Sequence, residues 1–186
     1  MNRNGKKGKA FTLVEALVVI FVIGTISSMM IVNWRKNEKQ YQLQRTAQEI
    51  MQNIRKAQDY ALNGKQRIWP PTGGGTMQTP EAYGIHFSRN QPTSYFIYSQ
   101  FIGGDGYQNP EDIQETNTQL EAGIEIDSFG GGNVLDVFFG IPEGFVGFSP
   151  GGGTSATITI KRTGKTCPSI YCRNIIIRGT GEINIQ

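Results

Sequence analysis

Few residues in this chain of 186 have the type and spacing for chemistry. Cys167 and Cys172 enclose Pro168-Ser169-Ile170-Tyr171, a spacing too long for a redox Cys-x-x-Cys pair but suited to a disulfide where the compartment is oxidising, and to two free thiols where it is reducing. His86 is the single histidine, which is poor material for a zinc cluster or a Cys–His nucleophile. Asp105, Asn109, Glu111 and Asp112 lie in a glycine-rich stretch and carry oxygen atoms fit for calcium. Their spacing does not match the twelve-residue EF-hand loop, so a solvated turn is the plainer expectation. Lys161, Arg162, Lys165, Arg173 and Arg178 make the C-terminal end basic. Such an end suits phosphate contacts with nucleic acid, or the acidic flank of another copy. No nucleophile elbow, P-loop or two-carboxylate site is evident, so neither enzymatic activity nor a cofactor is expected. The remaining charge of interest is Glu15, alone within the apolar run from Ala10 to Val32.

The overall basic balance is misleading. Of 18 basic residues, four (Arg3, Lys6, Lys7 and Lys9) lie in the first ten positions, where there is no acid; the rest of the chain carries 14 basic residues against 15 acidic, a formal charge of −1. Residues 81–150 hold Arg89 against ten acids, among them Glu121, Glu125 and Asp136. Net charge alone is therefore no reason to expect a nucleic-acid partner.

The run Ala10–Val32 is long enough for a bilayer-crossing helix, which takes about 20 apolar residues. A basic flank ahead of it places the N-terminus in the cytoplasm. A secretory signal peptide fits poorly, because the apolar core is too long and Thr25 to Ser28, the small-residue candidate for cleavage, lies inside it. An ordinary single-pass anchor is a second reading.

The third comes from Lys9-Ala10-Phe11-Thr12-Leu13-Val14-Glu15-Ala16-Leu17-Val18-Val19-Ile20, which resembles the N-terminal signal of type IV pilins and pseudopilins. Members of that family have a basic leader, a small residue before the cut, an aromatic after it and a glutamate at the fifth mature position. Here Ala10 stands where glycine is usual, Phe11 would be the first mature residue and Glu15 the fifth. The resemblance implies cleavage at Ala10–Phe11 by a prepilin peptidase and N-methylation of Phe11. It also implies a filament role for Glu15, neutralising the new Phe11 amine of a neighbouring subunit, since a buried charge is costly unless paired. The alternative for Glu15 is a side chain that reaches back to the cytoplasmic surface.

Beyond Val32 the helix is expected to continue. Leu43, Ala47, Ile50, Ile54, Ala57 and Ala61 recur at the spacing of one helix face, and Asn63-Gly64 makes a C-terminal stop. A helix from Phe11 to about Leu62 would be about 75–80 Å long. Gln44 through Ala61, and the last strands of the chain, are similar to the H-type minor pseudopilins. Residues 65–82, with Pro70-Pro71 and Gly73-Gly74-Gly75, read as a connector. Strands are expected at Tyr83–Ser88 and Thr93–Gln100 as a hairpin, then at Gln119–Asp127, Val134–Phe139, Thr154–Arg162, Arg173–Arg178 and Glu182–Ile185, with a polar loop over Gly103–Glu115.

The expected architecture is α+β, a pilin-like fold with a long N-terminal helix packed on an antiparallel sheet. Its parts would be a leader over residues 1–10, a transmembrane or filament-core helix over 11–36, an amphipathic continuation over 37–64 and a β-rich head over 65–186. The expected function is a structural subunit, minor by its resemblance, of a type IV pilus, type II secretion pseudopilus or competence filament. It would sit in the bacterial cytoplasmic membrane with its head outside the cytoplasm before assembly. Its partners would be the prepilin peptidase, other subunits, the inner-membrane assembly platform and the bilayer. The alternatives are an anchored extracellular binding module that never polymerises, and a DNA-binding minor pilin.

Overall fold

The computed structural model describes residues 12–71, 74–103, 106–108, 112–130 and 132–186, with the side chains of 29–37 outside that description. Two units divide the chain between Lys39 and Gln40.

Helix α1 spans Leu13–Leu62. No proline interrupts it, and in the second unit its six predicted stripe residues, Leu43, Ala47, Ile50, Ile54, Ala57 and Ala61, are each 0% exposed. The helix ends as predicted. Gly64 takes φ +56°, and its N–H donates to the Ala61 carbonyl while the Lys65 N–H donates to that of Tyr60. This paired arrangement satisfies carbonyls that a helix end otherwise leaves open. The Lys65 ammonium lies 3.4 Å from the centre of the Tyr60 ring, a cation–π contact where such a cap usually has an apolar one.

Eleven strands follow among the described residues: β1 Arg67–Trp69, β2 Thr76–Gln78, β3 Ala82–Ser88, β4 Ser94–Gln100, β5 Ile113–Gln119, β6 Ile124–Phe129, β7 Val134–Gly140, β8 Val146–Ser149, β9 Ser155–Arg162, β10 Cys172–Arg178 and β11 Ile183–Ile185. All pairings are antiparallel. One sheet has the order β5-β4-β3-β7-β8, a second β11-β10-β9-β6, and β1 with β2 forms a separate ribbon. The α+β expectation holds, as does the β3–β4 hairpin, and β10 and β11 form a second hairpin at the C-terminal end.

Three corrections concern strands. Residues 65–82 are not a plain connector, since β1 and β2 pair within them. The polar loop expected through Glu115 gives way to β5 at Ile113. Strand β8 has no counterpart among the expected ones. The isoleucine run in β10 is covered on one face more than the other: Ile175 and Ile177 are 0% exposed, and Ile176 between them is half-buried.

A single core joins the α1 stripe to Tyr83, Ile85 and Phe87 of β3, Val137 and Phe139 of β7, and Ile158, Ile160, Ile175 and Ile177 of the second sheet. Two tyrosines fasten it. The Tyr83 hydroxyl donates to the Lys65 carbonyl just past the helix end (2.8 Å), and Asn53 of α1 donates from its side chain to the Tyr95 hydroxyl (2.7 Å). Burial, the main cause, pushes both phenols up to about 12, against about 10 for a free tyrosine. In the unfolded chain they ionise near pH 10, while the folded chain resists. Their contribution to stability is therefore complete below about pH 10 and lost as pH rises towards about 12. The urea midpoint should fall across that window, and Tyr95→Phe should flatten the fall; an unchanged slope in the variant would count against this account.

The outer face of the five-stranded sheet carries a smaller cluster of Ala82, Tyr98 and Phe138, with Phe96 and Tyr107 packed against it. Gly84 makes room for it, because a Cβ there would lie 2.5 Å from the Tyr98 ring. Gly84→Ala should cost about 1–3 kcal/mol through overpacking, read as a drop of several degrees in Tm.

Candidate functional site

Glu15 is reached through the start of α1. The Glu15 backbone N–H donates to the Thr12 hydroxyl (3.3 Å), so Thr12 caps the helix. Thr12-Leu13-Val14-Glu15 has the spacing of a capping box, and an acid in the first turn also complements the helix dipole. That signal is present in the sequence and is missed when Glu15 is read for its charge alone. Leu17, Val18, Val19 and Ile20 follow, 62%, 53%, 46% and 72% exposed. Four consecutive helical residues point in four directions, so this part of α1 offers apolar side chains all the way round.

Among the described residues no helix is long and apolar enough to cross a membrane. The described side chains of the apolar run end at Ser28, short of the about 20 residues a crossing takes. Ala10 and Phe11, with the cleavage and methylation expected there, lie outside the described residues, as do Asp105, Asn109 and Glu111 of the calcium reading. Asp112 closes its own turn: its Oδ2 accepts from the Gln108 N–H (2.7 Å) and its N–H donates to the Gln108 carbonyl (2.9 Å). No group of three or more metal-ligating side chains occurs among the described residues.

Cys167 and Cys172 form the disulfide, with Cα atoms 5.9 Å apart, at the entrance to β10. Closing so short a loop is worth about 2 kcal/mol on the chain-entropy model.

The five basic residues of the C-terminal end do not form one open patch. Lys161 is held by Asp127 (2.6 Å) and Glu125 (3.6 Å) on the neighbouring strand, and Asp127, first among these partners, raises its pKa. Arg178 pairs with Glu182 (2.8 Å). Arg162 and Lys165 lie over the Tyr171 ring at 6.0 and 5.3 Å, and Arg173 donates to the Cys172 carbonyl. Each is engaged within the head, and two are neutralised by carboxylates.

The structure also assembles a site on the outer face of the five-stranded sheet. His86 on β3 stands opposite Phe96 on β4 and Asp136 on β7. Its Nδ1 is 2.8 Å from Asp136 Oδ1, and Asp136 is 4% exposed. The imidazole stacks on Phe96 (4.8 Å between centres, 25° between planes), and Tyr107 meets Phe96 edge-on (4.8 Å, 76°). Beneath them, burial first and then the carboxylates of Asp136 and Asp112 hold the Tyr98 hydroxyl well above the usual phenol range. The clue in the sequence is a carboxylate inside an otherwise apolar strand, Val134-Leu135-Asp136-Val137-Phe138-Phe139, which requires a buried partner. Across the sheet, Arg67 pairs with Glu115, tying the β1–β2 ribbon to β5, and Trp69 stacks on Phe101 at 4.7 Å.

No family model and no curated protein matches the chain. It is similar to the solved structure of the minor pseudopilin EpsH from the type 2 secretion system of Vibrio cholerae, at 15% identity and a TM-score of 0.45, over 78% of this chain and 96% of that one. A likeness at that level carries no weight by itself; the fold stands on the helix stripe and strand pairings above.

Proposed function

We propose that the chain is a structural subunit, of the minor kind, of a pilin-like filament: a type IV pilus, a type II secretion pseudopilus or a competence filament. The observation that carries this reading is the all-round apolar exposure of α1 from Leu13 to Ile26, a segment that overlaps the residues resembling the prepilin signal. A helix apolar on every side needs lipid or other helices around it, and a filament core supplies the second after the membrane has supplied the first. The stripe from Leu43 to Ala61 is spent on the head, so the exposed segment is what remains to hold subunits together.

The mechanism is assembly. The leader stays in the cytoplasm, the prepilin peptidase cuts at Ala10–Phe11 and the new Phe11 amine is methylated. The mature helix then leaves the cytoplasmic membrane, at the assembly platform, for a bundle in which Glu15 pairs with a neighbour's Phe11 amine and favours one axial register. The head faces outward.

Co-expression with a prepilin peptidase in membranes tests the reading. The product should lack ten residues and begin at Phe11, as read by intact mass and N-terminal sequencing. An intact leader would favour a non-polymerising anchored module.

A further inference from the structure

A groove of about 370 Å³ opens beside His86 on the outer face of the five-stranded sheet. Its walls combine three rings, His86, Phe96 and Tyr107, with four carboxamides, Asn90, Gln91, Gln114 and Asn117. Among the described residues, neither lysine, arginine, aspartate nor glutamate lines it. An uncharged lining gives no grip to phosphate, sulfate or carboxylate ligands, whose recognition relies on charge-assisted hydrogen bonds.

The placement of the amides is specific. Gln114 and Asn117 are three apart on β5, and strict alternation would put them on opposite faces. A β-bulge between Ile97 and Tyr98 in the β4–β5 pairing sets Asn117 opposite Phe96 and Gln114 opposite Tyr98. Both amides therefore share the outer face with those rings, the re-aiming that bulges accomplish. The other two amides sit in the β3–β4 turn, which is braced by its own bonds. The Asn90 N–H donates to the Ser88 hydroxyl, the Gln91 N–H to the Ser88 carbonyl, and the Ser94 hydroxyl to the Gln91 side chain. Asp136 holds the His86 ring, so that wall is set before any ligand arrives.

We propose that this groove is a binding site for a neutral saccharide, with a pyranose ring against Phe96 and Tyr107 and its hydroxyls hydrogen-bonded by the four carboxamides. A sugar hydroxyl both donates and accepts, and a carboxamide is a side chain that offers both functions without charge. The axial C–H groups of a pyranose present a polarised apolar face, which complements the negative face of an aromatic ring. Phe96 and Tyr107 stand nearly perpendicular, and His86 covers one face of Phe96, so a sugar ring would meet the other face or Tyr107. A flat apolar ligand would leave the amides unpaired, and a charged one would find no counter-ion among the described lining residues. A short polar peptide is the rival occupant.

The test is a titration of the full 15N-labelled chain, in a zwitterionic detergent that carries no sugar. The panel consists of short soluble oligomers of β-1,4-glucose, α-1,4-glucose, β-1,4-N-acetylglucosamine and α-1,6-mannose, with a glutamine- and serine-rich peptide as the rival probe. At least one neutral saccharide should shift the side-chain amide signals of Gln114 and Asn117 to saturation. Gln114→Ala and Asn117→Ala, both at exposed positions, should each weaken binding about tenfold while leaving the remaining spectrum in place. Phe96→Leu should abolish binding. Saturation by none of the saccharides, binding unchanged in both amide variants, or saturation of the same signals by the peptide alone would overturn the proposal.

Discussion

Replacing Ile54 by alanine is expected to destabilise the head by about 2–5 kcal/mol, the range for a large-to-alanine change in a packed core. Ile54 is 0% exposed and belongs to the core that α1 shares with both sheets. The two sheets lay their inner faces against the same helical stripe, so a void beneath Ile54 removes contacts from three elements together. The surroundings have little freedom to collapse, because the flanking positions Ala57 and Ala61 are already small. Urea titration followed by Trp69 fluorescence measures the loss, since Trp69 is stacked on Phe101 within the head. Tyr41→Ala, at a residue 70% exposed, is the control and should change stability by less than about 0.5 kcal/mol. A small effect at Ile54 would mean that the sheets hold each other without the helix.

The second large effect is expected at Glu15, where two roles overlap. At the N3 position of a capping-box sequence it suits the start of α1, a task that glutamine performs as well as glutamate. As a carboxylate it would neutralise a neighbour's Phe11 amine, which glutamine cannot do. Glu15→Ala and Glu15→Gln are therefore both expected to leave membrane insertion and leader removal intact and to reduce incorporation into filaments at least tenfold. The measurement is the ratio of sheared-filament to membrane-retained protein in a strain that assembles the wild-type chain. Normal assembly of the glutamine variant would assign Glu15 to capping and remove the charge-pairing step.

What could be read from the sequence follows the strength of its periodic signals. The stripe from Leu43 to Ala61 repeats over several helical turns, and its burial and its Gly64 stop were both legible. Strand β3 was legible because Tyr83, Ile85 and Phe87 alternate cleanly above one core. Strand β5 was not, because an edge strand facing water carries Gln114, Thr116, Asn117 and Thr118 and shows no apolar beat. Strand β8 was hidden by Gly147, whose missing side chain is what lets the Phe138 ring lie across it; a Cβ there would come within 2.2 Å of that ring. The His86–Asp136 pair joins residues 50 apart in sequence. Strand register brings them together, and only the oddity of an acid in an apolar strand hints at it.

The bulge in β5 has a bearing on solubility. An edge strand with a continuous ladder is a template on which another chain can add, and proteins blunt such edges with bulges and polar side chains. Glu115 is the extra residue at this edge, and its carboxylate is turned to Arg67 and Ser99. Removing it from the chain would restore an unbroken ladder while leaving Gln114 opposite Tyr98 on the outer face. The head would then present a straight, pairable border to other molecules, and self-association at high concentration would be the expected cost.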